Sequence, residues 1–103
     1  MSGFDADARL RRALSGSAQA AGAAVTIVQS DAVRWASATF TGARHTIELA
    51  AVADDAVERW LGDLPEAELA MAGHLVADLK IVAMRQAGPD LTVTLEVLTV
   101  EDR

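Results

Sequence analysis

Cysteine is absent from the chain, and so are tyrosine and asparagine; there is one lysine, Lys80, with two prolines and two histidines. Without cysteine there can be no disulfide framework, no thiolate zinc site and no cysteine nucleophile. A cysteine-free composition fits a reducing cytoplasm, where the protein is expected to reside. Basic residues are also scarce: nine Lys and Arg face fifteen Asp and Glu, for a formal net charge of −6 and an isoelectric point near 4.7. Phosphate binding draws its affinity from clustered cations, so a nucleic-acid partner is not expected. The one basic cluster, Arg9-Leu10-Arg11-Arg12, reads as a solvated helix face.

No apolar run approaches the roughly 18 residues of a membrane span, and the opening MSGFDADARL lacks the charged-then-apolar pattern of an export signal. Walker-type loops, GxGxxG, GxSxG and the HxxxH or HxH spacings of metal sites are all missing. No cofactor and no metal is implied. Alanine, arginine and aspartate are plentiful, a bias that fits a GC-rich bacterial genome.

What is present is apolar alternation. Of the 103 residues, 51% are hydrophobic, with a mean hydropathy of +0.22. That is enough to bury a core in a single domain spanning 1–103 and more than a solvated monomer requires. The clearest pattern runs from Gly73 to Val100. Leu75, Ala77, Leu79, Ile81 and Ala83 alternate with Val76, Asp78, Lys80 and Val82, and Leu91, Val93, Leu95 and Val97 alternate with Thr92, Thr94 and Glu96. Folding the two runs about Ala87-Gly88-Pro89 sets Ala83 against Val93, Ile81 against Leu95, Leu79 against Val97 and Lys80 against Glu96.

Upstream, Leu10, Leu14, Ala18 and Ala21 recur at helical spacing from Asp5 to about Ala21, with Gly22 placed to terminate the helix and Ser15-Gly16-Ser17 a point of fraying or bending. Phe4 is placed to pack on its first turn. From Ala24 the period becomes two. Val25 to Gln29 reads as a short strand and Ser30-Asp31 as a turn. Arg34 to Thr41 and Arg44 to Ala51 then form a hairpin about Gly42-Ala43 that would pair Phe40 with His45, Ala38 with Ile47 and Ala36 with Leu49. Asp54 caps a second helix carrying Val57, Trp60, Leu61 and Leu64, which Gly62 or Pro65 should end. Residues 65–72 read as an irregular link with a short helical or extended piece.

The implied architecture is α+β: a two-layer sandwich with an antiparallel sheet of 4–5 strands and two helices on one face, in the order αβββαββ or αββαββ. If the hairpins join edge to edge, the shorter order resembles a ferredoxin-like sheet whose first strand has been moved to the end of the chain, a topological likeness without functional content.

The sheet has a second face, and parity assigns to it Trp35, Val76, Val82, Met84, Leu98 and Val100, among Ser37, Thr39, Thr46, Thr92, Thr94, Asp78, Lys80 and Glu96. A tryptophan with aliphatic neighbours among small polar residues predicts an interface, most simply that of a homodimer. The other readings are cover from within, by the N-terminal segment or residues 65–72, and a surface for a ligand or another partner. The expected function is a non-enzymatic interaction or oligomerisation module; its alternative is a small enzyme or small-molecule-binding domain. A pocket between sheet and helices would then use the few polar candidates, Arg44, His45, His74 and Asp78. His74 and Asp78 share a face by parity but stand about 13 Å apart along a strand, too far for a hydrogen-bonded pair.

Overall fold

A computed structural model describes residues 3–102, with side chains from Asp5 onward, so the expected packing of Phe4 lies outside the described residues. The elements are α1 (Gly3–Ala20), β1 (Val25–Ala36), β2 (Thr41–Val52), α2 (Asp55–Asp63), a 3-10 turn (Leu64–Glu66), β3 (His74–Ala87) and β4 (Asp90–Glu101). The order is αββαββ. The four strands form one antiparallel sheet in the spatial order β1-β2-β4-β3. This is the arrangement of a ferredoxin-like sheet with its first strand transferred to the end, as the edge-to-edge joining of two hairpins implies.

Both helices pack on one face. Ala6, Leu10, Leu14 and Ala18, one helical turn apart on α1, are buried together with Val57, Trp60, Leu61 and Leu64 against Ile47, Leu49, Leu91, Val93, Leu95 and Val97. The helix runs through Ser15-Gly16-Ser17 without a break, because Leu14 and Ala18 anchor both sides of the interruption and the Ser17 hydroxyl accepts the Trp60 indole N–H at 3.0 Å. It ends as expected: Gly22 takes φ +73°, its N–H reaches the Gln19 carbonyl and the Ala23 N–H reaches Ala18 at 2.9 Å, the paired bonds of a Schellman cap. Asp54 caps α2 by accepting the Val57 N–H at 2.8 Å.

The first hairpin departs from expectation. Strand β1 is continuous from Val25 to Ala36, and the turn falls at residues 37–40, not at Gly42-Ala43. His45 therefore pairs with Ala32, Ile47 with Ser30 and Leu49 with Ile27; Phe40 and Ala38 lie in the turn. Two local causes account for this. The Ser37 side chain accepts the Phe40 N–H at 3.1 Å while the Ser37 N–H donates to the Phe40 carbonyl at 2.7 Å, so a hydroxyl closes the loop without glycine. The Ser30 hydroxyl, read as part of a turn, instead donates to Asp7 of α1 at 2.6 Å, and the only irregularity in β1 is a bulge between Ile27 and Gln29.

The second hairpin keeps the expected register at its centre, with Leu79 opposite Val97, Lys80 opposite Glu96 and Ile81 opposite Leu95, about a turn at Gly88 (φ +59°) and Pro89. Two bulges, between Val76 and Asp78 and between Ile81 and Ala83, change the parity on either side. Leu75 and Ala83 consequently face away from the helices, and Val76 and Met84 face them. The link at 67–73 sends Ala67, Leu69 and Met71 against the core and gives the Ala72 carbonyl to Arg9, whose guanidinium also pairs with Asp5 at 3.0 Å. It covers the helix side. Among the described residues no helix is long and apolar enough to cross a membrane.

Candidate functional site: the uncovered face of the sheet

Directly opposed residues of neighbouring strands share a face, so the register lays out the uncovered side as rows across β1, β2, β4 and β3. The row nearest the β1–β2 turn is Trp35, Gly42, Val100 and Leu75. The second is Val33, Arg44, Leu98 and Asp78, and the third Asp31, Thr46, Glu96 and Lys80. Further along come Gln29, Glu48, Thr94 and Ala83, then Thr26, Ala50, Thr92 and Arg85. The face is thus apolar at one corner, charged in the middle and mostly polar beyond, where Glu48 and Arg85 stand among small residues.

The corner is built on Gly42. A side-chain carbon at this position would lie 2.9 Å from Cζ2 of Trp35 and would collide with the Thr99 carbonyl oxygen, so glycine opens the space in which the indole lies against the neighbouring strand. Trp35 is half-buried by that contact, and its shielded Nε1 has no acceptor among the described residues. Around it Val33 is 69% exposed and Leu75 57%, with Leu98 and Val100 partly exposed between them.

Of the six apolar residues that parity assigned to this face, Trp35, Leu98 and Val100 stand on it. Val76 and Met84 do not: the bulges turn both to the helix side. Val82 is the unpaired residue of the second bulge, 45% exposed. Among the described residues neither the N-terminal helix nor residues 65–72 cover this face: Leu10, Leu14 and Ala18, and Ala67, Leu69 and Met71, pack on the opposite side.

The four polar candidates divide between the two faces. Arg44 and Asp78 flank Leu98 on the uncovered side and, with Lys80 and Glu96, line a shallow depression of about 130 Å³. Among the described residues these four charges form no ion pair with one another, although Lys80 and Glu96 are opposite in register. His45 and His74 lie on the helix side; the bulge at Ala77 puts Asp78 on the opposite face from His74, in addition to their separation along β3. None of the four lines the apolar groove of about 290 Å³ between α2 and β3, which is bordered by Ala53, Leu61, Ile81, Met84 and Leu91.

His45 is completely buried and belongs to a chain of polar contacts that sequence reading missed. Its Nδ1 meets Asp7 Oδ1 at 2.9 Å, its Nε2 meets the Thr99 hydroxyl at 2.8 Å, and Asp7 also accepts from Ser30. A carboxylate, an imidazole and a hydroxyl in sequence have the order of a nucleophilic relay. Here Thr99 is wholly buried and no described cavity is lined by Thr99 or His45. The arrangement instead ties α1 to three strands. Its signals in the sequence were Asp7, three residues before Leu10 on the buried stripe, and Thr99, next in the inward alternation after Val97.

His74 sits in the last row of the helix side, opposite Glu101. The Thr41 hydroxyl donates to Glu101 and holds its carboxyl below the ordinary value; Arg34 and His74 add to this and partial burial opposes it. A depressed folded-state value stabilises the fold above the unfolded-state value, and that contribution is lost as pH falls through the folded-state one. Thr41→Val should therefore lower the urea midpoint slightly at neutral pH and have less effect at acid pH, where Glu101 is protonated in both proteins. An equal loss at both pH values would mean that Thr41 acts through packing only.

No group of three or more potential metal ligands occurs among the described residues. The fold and its face define a two-layer α+β domain with one side of its sheet uncovered. Comparison with protein-family models, with curated proteins and with solved structures finds no match.

Proposed function

We propose that this domain is a non-enzymatic interaction module that pairs with a second copy of itself through the uncovered face of the sheet. The observation that carries the proposal is the corner formed by Trp35, Leu75, Leu98 and Val100 with the protruding Val33. A tryptophan ringed by aliphatic side chains at one end of a solvated sheet has the composition of an interface core, with depleted charge and a polar surround.

Sedimentation or light scattering over a range of concentrations tests it. The native chain should give twice the monomer mass, and Trp35→Glu should raise the dissociation constant at least ~30-fold, the loss of about 2 kcal/mol typical of a buried aromatic anchor. Val33→Glu guards against a folding defect, because a side chain 69% exposed on an edge strand has little packing to lose within its own chain. Circular dichroism should be unchanged for it. A monomeric mass at high concentration for the native chain overturns the proposal.

A further inference from the structure

Resting on that reading, we infer how the second copy is seated: face to face, about a two-fold axis that runs parallel to the strands along the seam between β2 and β4. The apolar corner by itself is too small to hold a dimer. Strands of twelve to fourteen residues, four across, make a face of roughly 700 Å² at the usual ~4.8 Å and ~3.3 Å spacings, against the roughly 800 Å² that each partner gives to a standard interface. Nearly the whole face must be covered, charged rows included. Buried like charges would be prohibitive, so the rows select the symmetry.

Aligned sheets pack within about 30° of one another, which keeps rows roughly over rows. An axis on the central seam lays β1 over the partner's β3 and β2 over the partner's β4. Trp35 then meets the partner's Leu75, and Gly42 makes room for the partner's Val100. In the charged row Asp31 meets the partner's Lys80 and Thr46 meets the partner's Glu96; Arg44 covers the partner's Leu98, one row from the partner's Glu96. Every one of these contacts occurs twice. Moving the axis onto β4 would set Glu96 against its own copy, and moving it onto β2 would set Arg44 against its own copy and Asp31 against Glu96. An axis perpendicular to the strands that superposed the apolar corners would overlap only the ends of the sheets. Of these axes the central seam gives full cover with opposite charges in the third row and Val33 over the partner's Asp78 in the second, and among the described residues the four middle charges form no ion pair with one another.

The contact between Asp31 and Lys80 gives a direct test at low ionic strength, where charge pairs are least screened. Asp31 and Lys80 stand on opposite edge strands of the same chain, so they meet only between copies. Asp31→Lys and Lys80→Asp should each raise the dissociation constant about tenfold or more, by setting like charges opposite one another at both symmetry-related contacts. The double variant should return to near the native value. Mixing the two single variants should produce a heterodimer, because each contact in it again joins opposite charges; intramolecular stability cannot yield that rescue. Native dimers with single variants that associate as tightly, or variants that weaken but fail to rescue each other when mixed, overturn this axis while leaving the sheet-face dimer standing. A native chain that stays monomeric removes both.

Discussion

Gly42→Ala is expected to destabilise the domain by about 3 kcal/mol or more, a drop in melting temperature of at least ~12 °C for a chain of this size. The added carbon would overlap the Thr99 carbonyl oxygen and come within 2.9 Å of Trp35 Cζ2. The indole can swing away, but the oxygen belongs to the backbone of β4 next to the residue paired with Gly42, and it moves only if β2 and β4 part. Parting them also shifts the Thr99 hydroxyl that holds His45. Gly16 and Gly62 are the controls: both are helical, neither has an atom within 4 Å of an added carbon, and alanine there should stabilise by up to about 1 kcal/mol. Thermal unfolding followed by circular dichroism separates the cases. A Gly42→Ala protein as stable as the native one would show that the two strands can separate freely at this point and that the corner around Trp35 needs no glycine.

The same residue shows where sequence reading stops. A glycine between two alternating runs reads as a turn because turns are where glycine's backbone freedom is most often used. Gly42 is there for lack of a side chain, a requirement set by a strand about sixty residues further on. Alternation did locate the second hairpin, since β4 is unbroken from Leu91 to Val97 and Gly88-Pro89 leaves the chain one place to reverse. Bulges have no side-chain signature, so parity puts Val76 and Met84 on the wrong side of β3, while it places Trp35, Leu98 and Val100, on strands without a shift nearby, correctly. The polar core was hidden for a different reason. An aspartate in a helix and a threonine in a strand are ordinarily solvated, and only the fold brings Asp7 and Thr99 to the two nitrogens of His45.

Asp7→Ala should cost about 3 kcal/mol, although it removes a single carboxylate from a helix whose apolar stripe is left intact. The carboxylate meets His45 Nδ1 at 2.9 Å and accepts from the Ser30 hydroxyl at 2.6 Å; truncation leaves a fully buried ring nitrogen without a partner and frees the hydroxyl that it fixed. Asp7→Asn, which keeps the shape and can still accept from one group while donating to the other, should cost distinctly less. The size of the first effect has a structural meaning. Ala6, Leu10, Leu14 and Ala18 repeat at intervals of four, so sliding α1 by one turn would again present small and large apolar residues to the sheet. Asp7 meets His45 in one placement only, and we expect this contact to set the position of the helix along the sheet as well as to stabilise it. Urea unfolding of Asp7→Ala, His45→Ala and the double variant measures the coupling between them. Coupling below about 0.5 kcal/mol would mean that packing sets the helix position without the polar chain; coupling above about 1 kcal/mol, with sharper unfolding in the native protein than in Asp7→Ala, is the outcome expected of a contact that chooses among placements.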